Sequence, residues 1–256
     1  MTSEPLTVTM SGGQVSMLFL VLLRCLGLVF TAPIFGHHSI PTLVRFGLAA
    51  ALAVALNKVA GETAGTMPLI MAAPMELFIG LALGFILSMG FAAVEVAGQV
   101  ISIQLGLNLA SVFSPTDSSS STALDPFFSV LAGLLFLAMN LHLAVVQTLA
   151  HSFSVYPVGG GWPASLPLTG AQTISLALEL GVRVALPIAL VLLLTELSVA
   201  LLARAIPQIN VFIFGLPLKM LVGVAVLSAA MPSLITGAES IYGFIFNAAS
   251  GGAVSG

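Results

Sequence analysis

The sequence predicts an all-α integral membrane protein, and three observations carry that prediction. Charged residues are scarce, with six Lys or Arg and nine Asp or Glu among 256 residues, whereas about a quarter of an ordinary soluble domain is charged. Hydrophobic residues make up 59% of the chain and its mean hydropathy is +1.17, so a globule of this composition could not cover itself with polar surface. The apolar residues also gather into continuous runs, such as Met17 to Phe35 and Phe127 to Met139. Such runs reach or approach the length of about 20 residues that a helix needs to cross a bilayer. They are rich in Leu, Ala and Gly and lack the apolar–polar alternation of an outer-membrane barrel strand. At about 20 residues per span plus connections, the chain has room for roughly six long helices and no large aqueous domain.

The elements follow in order. The first apolar segment runs from about Gln14 to Phe35 with Arg24 near its middle, and Pro33 and the Gly36-His37-His38 turn end it. Pro41 opens a second segment that reaches about Leu56. Asn57 to Pro68 is a polar connection with Lys58 and Glu62, and a third segment spans about Leu69 to Gln99 with Glu76 and Glu95. Gly80 and Gly84 within it form a Gly-x-x-x-Gly step, a spacing that lets helix backbones approach closely in lipid. Ser111 to Asp125 is the least hydrophobic interior stretch, and a fourth segment follows from about Pro126 to Phe153. Tyr156 to Gly170 reads as a loop around Gly159-Gly160-Gly161-Trp162-Pro163. The fifth segment, about Gln172 to Ile206, is the longest. As one helix it would extend roughly 50 Å against a hydrocarbon core of about 30 Å, so it either breaks at Pro187 or projects beyond the lipid. Pro207 and Gly215-Leu216-Pro217 interrupt the chain before a last segment to about Ile235. No internal repeat is present, and Met1 to Gly13 lacks the Lys or Arg of a cleavable leader.

Ionisable residues inside spanning segments are expensive, and each is a functional candidate. Glu179 and Arg183 stand at i, i+4 with the acid first, the favourable order for a pair on one helix face. Glu196 falls roughly 140° around a straight helix from Arg183, and Glu76 and Glu95 lie about 100° apart by the same geometry, so no helix carries a lane of acids fit for a proton wire. Arg24 and Arg45 have no acid within one helical turn. In lipid they require neutralisation from elsewhere or a position that water reaches, which points to an interior partly formed by other chains. The six basic residues are too dispersed to fix an orientation by the positive-inside rule, or to bind nucleic acid.

Other chemistries lack support. Cys25 is the single cysteine, which excludes an internal disulfide or cysteine-based metal site. His37-His38 and His142 with His151 do not assemble a ligand set, so no metal or other cofactor is expected. The phosphate-binding loop, His-Glu-x-x-His and Gly-x-Ser-x-Gly patterns are absent, so the chain does not read as an enzyme.

Residue order is more specific than composition. Arg204-Ala205-Ile206-Pro207-Gln208-Ile209-Asn210-Val211-Phe212, followed by Gly215-Leu216-Pro217-Leu218-Lys219, resembles the C-terminal signature of the FliR family of type III export-gate subunits. Arg24 with Thr31-Ala32-Pro33-Ile34-Phe35-Gly36 is similar to that family's first span. Ala97-Gly98-Gln99 followed by Gln104-Leu105-Gly106-Leu107 and Ala110 is similar to its central region. Ser152-Phe153 followed by Tyr156-Pro157-Val158-Gly159 is similar to the end of its fourth segment. The resemblance covers about residues 14 to 237, within one membrane-embedded domain of residues 1–256. The family often carries Asp before the proline of its central loop, where this chain has Ser114 before Pro115.

The resemblance implies a subunit of the flagellar gate that assembles with FliP and FliQ subunits into a helical, closed-pore complex, beside FlhB and FlhA. That complex sits in the inner membrane at the flagellar basal body and exports unfolded substrates; some of its helices are hairpin-like or extend beyond the bilayer. The resemblance also implies that the central loop plugs the pore, which maps by position onto Gln104, Gly106, Leu107, Phe113 and Pro115. Composition alone would make that stretch an interhelical loop. Candidates for contacts with neighbouring subunits are Glu179, Arg183, Arg204, Pro207, Asn210 and Lys219. The corresponding subunit of a virulence injectisome is an alternative with the same role. A small-molecule secondary transporter is a further one, although the two matching halves usual in such folds are missing.

Overall fold

A computed structural model describes residues 12–33, 35, 40–61, 67–106, 125–161, 166–206 and 211–249. Among the described residues the chain forms helices and no strands: α1 Gly12–Thr31, α2 Thr42–Leu56, α3 Leu69–Leu105, α4 Asp125–Ala138, α5 Leu141–Val155, α6 Leu166–Ala205 and α7 Val211–Ala249. Four of them, α1, α3, α6 and α7, are long and apolar enough to cross a membrane. The number rises to five if the bent pair α4–α5 counts as one span. The sequence led to roughly six; the difference lies in α2, whose 15 residues fall short of a span.

Proline sets two of the helix starts. Pro41 precedes α2, and its carbonyl accepts from Val44 N at 3.0 Å and Arg45 N at 3.3 Å; Pro68 likewise precedes α3 and accepts from Met71 N at 2.9 Å and Ala72 N at 3.0 Å. A residue just outside the first turn needs no amide donor, so proline suits it. The apolar run from Pro126 to Phe153 is not one helix. It breaks at Asn140, which adopts a φ of 55°, a left-handed conformation that asparagine tolerates better than most residues. The longest segment settles its own alternative: α6 continues through Pro187 for 40 residues, about 60 Å at 1.5 Å per residue. Helix α7 likewise runs through Pro217 and Pro232 and continues well past Ile235.

The described residues fall into two compact units. The first holds α1, α2, α3 up to Ser88, the part of α5 from Leu143 onward, the turn after it and the start of α6. The second holds α3 from Met89, α4, α6 from Gln172 and α7 to Asn247. In the first unit α3 lies directly on α1. A side chain on Gly80 would run into the Arg24 carbonyl, and one on Gly84 would meet the Leu28 carbonyl and the Thr31 hydroxyl, so the Gly-x-x-x-Gly step does close two helix backbones together. In the second unit Phe91, Phe136 and Tyr242 pack edge to tilted with ring centroids 5.5 to 6.3 Å apart, and the Tyr242 hydroxyl donates to the Ala132 carbonyl at 3.2 Å. Helix α7 is thereby fastened to α3 and α4.

Candidate functional site

A buried polar site in the first unit is built around Arg24, a fully buried side chain on α1. Its Nε donates to Glu76 Oε2 on α3 at 2.6 Å. Its Nη1 donates to the Ser152 carbonyl at 3.1 Å and lies 3.2 Å from the Ser152 hydroxyl, while Nη2 donates to the Tyr156 carbonyl at 2.9 Å. The guanidinium also lies 4.5 Å from the centre of the Phe153 ring, a cation–π distance. The other oxygen of Glu76 accepts from Gly159 N at 3.0 Å. Each partner therefore satisfies the other, and spare donors and acceptors are taken up by backbone, the condition for a tolerable buried ion pair.

This corrects one sequence-based expectation. Arg24 is neutralised by its own chain and not from outside, through an acid 52 residues away. Arg45, also buried, sits over Phe30 at 5.7 Å from its ring centre.

In the second unit the residues expected to face partners are spread along two helices. Glu179 and Arg183 form the i, i+4 pair on α6 at 2.5 Å, with 50% and 67% of the side chain exposed. Lys219 on α7 donates to Glu196 Oε2 on α6 at 3.0 Å, a pairing that sequence spacing had not revealed. Arg204 is exposed in the last turn of α6, where a cation favours the helix dipole. Pro207 and Asn210 lie outside the described residues.

Two of the positions mapped to a pore plug are described. Gln104, near the end of α3, directs its amide toward the Ala189 carbonyl of α6 at 3.5 Å. Gly106 follows α3 in a left-handed turn with φ 75°, its N–H donating to the Ile103 carbonyl at 3.0 Å. That turn ends the helix as a glycine after a C-terminus commonly does. Leu107, Phe113 and Pro115 lie outside the described residues. Among the described residues no three His, Cys, Asp or Glu side chains come together in a way that could hold a metal.

Helix α6 mixes apolar and charged exposed residues along its length. It buries a narrow stripe at Thr173, Ala177, Gly181, Ala185, Ile188 and Leu192 and exposes most of the rest, including Leu186, Leu190, Leu194, Leu197 and Leu201. The longest uncharged run between its exposed acids is residues 184–195, about 18 Å at 1.5 Å per residue. Every stretch of α6 near 20 residues, the length of a span, includes Glu179, Arg183 or Glu196. Lipid alone is a poor cover for a helix with apolar side chains all along it and exposed charges at these points.

Comparison with known proteins gives these features a context. Residues 15–244 match the family of bacterial export proteins, family 1, a range that takes in residues of both units. The flagellar biosynthetic protein FliR of Escherichia coli (strain K12) is 36% identical over 237 residues, covering 90% of this chain and 89% of that protein. The FliR of Pectobacterium carotovorum subsp. carotovorum is 31% identical over 239 residues, 91% of each chain. The FliR of Bacillus subtilis (strain 168) is 29% identical over 234 residues, 87% of this chain and 89% of the relative. This chain, helical among its described residues and matched along nearly its whole length, belongs to the bacterial export proteins, family 1, alongside FliR.

Proposed function

We infer that this chain is a multi-pass subunit of the flagellar type III protein-export gate, acting as one membrane-embedded domain in the inner membrane at the basal body. It assembles with FliP- and FliQ-type subunits around a closed pore for unfolded export substrates, next to FlhB- and FlhA-type components. Its family membership supports the export role. The observation that carries the assembly is α6: some 60 Å of helix with exposed leucines and exposed charges interleaved. Such a surface is suited to neighbouring protein, which offers apolar cover and counter-charges together. The flagellar names of the relatives favour a flagellum over an injectisome.

In this reading the stretch after α3 closes the pore. Gly106 ends the helix, and the apolar residues that follow it in sequence, Leu107 and Phe113, exclude water and ions from a narrow passage until a substrate displaces them. The chemistry is mechanical and electrostatic, with no catalytic step. The experiment is a chromosomal deletion of the gene. Cells lacking it assemble no filaments and do not swim, and a plasmid copy restores both. Deletion cells that swim normally would overturn the reading.

A further inference from the structure

Two sequence stretches that the export role leaves unexplained, Arg24 in the first segment and Ser152-Phe153 with Tyr156 to Gly159 in the fourth, meet at one point. Arg24 reaches the carbonyls of Ser152 and Tyr156 and the ring of Phe153, and Glu76 takes the Gly159 amide. The Ser152 carbonyl already accepts from Tyr156 N at 2.8 Å, as the last turn of α5 closes. The end of a helix exposes acceptor carbonyls and the negative end of its dipole, which a cation stabilises. Here the cation comes from a different helix, and its carboxylate partner holds the chain just beyond that helix end.

We propose that Arg24 and Glu76 form a latch that fixes where α5 ends and closes the Tyr156–Gly161 turn onto α1 and α3. Arg24 is a positioning residue that acts as a tethered cation, and its truncation opens a site for a free guanidinium ion. The planar fork matters as well as the charge: Nε, Nη1 and Nη2 point to three separate acceptors, and an ammonium group cannot span them. The proposal stands on the first unit alone and is independent of the export role.

Hydrogen exchange across Tyr156 to Gly161, followed by mass spectrometry on the full chain in mild detergent, tests it. Arg24→Ala raises exchange there about tenfold or more, the scale set by one charge-assisted hydrogen bond, with helix α7 unchanged. Millimolar methylguanidinium restores protection, while urea, of similar shape but uncharged, does not. A general packing defect would respond to neither. If Arg24→Ala does not fold, Arg24→Lys serves: it keeps a charge beside Glu76, loses the fork and raises exchange in the same turn. Wild-type exchange in the variant that folds, or rescue by urea equal to that by methylguanidinium, would overturn the latch.

Discussion

Arg24 and Glu76 stand 52 residues apart in sequence and 2.6 Å apart in space, with side chains 0% and 2% exposed. A buried pair of this kind contributes little net stability, because desolvation offsets most of the attraction. Removing one partner, however, strands a charge in an apolar interior.

The first prediction follows from that asymmetry. Glu76→Leu or Arg24→Met alone destabilises the protein by about 3–5 kcal/mol, read as lost thermal stability in detergent or lost accumulation in the membrane. The double variant Arg24→Met/Glu76→Leu recovers part of the loss, although the α5 end remains uncapped. A double variant as damaged as the sum of the two singles would contradict the pairing.

Close contact between α1 and α3 gives a second. Gly80→Ala forces a methyl against the Arg24 carbonyl and costs about 1–3 kcal/mol by overpacking. Gly47→Ala on α2 meets nothing within 4 Å, and its higher helix propensity makes it neutral or stabilising by up to about 1 kcal/mol. Equal melting temperatures for the two variants would refute the helix contact.

How much of this was legible in the sequence depends on the reach of each signal. The helical membrane class followed from composition and continuous apolar runs, and the start and end of α2 followed from Pro41 and Asn57. The Gly80–Gly84 step pointed to a close helix partner without saying which helix. The partner of Arg24 was not legible, because periodicity reports neighbours within a turn or two and Glu76 arrives through tertiary folding. The Lys219–Glu196 pair escaped for the same reason. Asn140 was a weak signal, one of several polar residues that include Ser129, His142 and Gln147 in an otherwise apolar run, and only its left-handed backbone reveals the break. Pro187 left two outcomes open in the sequence, a break or one long helix, and the helix runs on through it; a membrane helix tolerates proline where neighbouring groups satisfy the freed carbonyl.

A third prediction separates stability from assembly. An exposed ion pair is worth at most about 1 kcal/mol to the fold, so Glu179→Lys leaves the thermal stability of the isolated chain nearly unchanged. If Glu179 faces a neighbouring subunit, the same variant reduces co-purification of FliP- or FliQ-type proteins. Undiminished co-purification would make Glu179–Arg183 a pair internal to this chain.

The plug reading yields a fourth. Deleting residues 107–115 from the chain, expressed with its partner subunits, makes the membrane leak ions, recorded as conductance in planar bilayers or as sensitivity of growth to salt. Conductance equal to that of the intact complex would remove the stretch after Gly106 from any part in closure.

We propose that the exposed leucines and charges of α6 are covered by other subunits of an export gate. Affinity purification of the tagged chain from native membranes in mild detergent, followed by mass spectrometry of what accompanies it, tests this most directly. FliP- and FliQ-type subunits recovered in fixed proportion to the chain are the predicted result. A single monodisperse chain, stable in the same detergent with no companion, would contradict it.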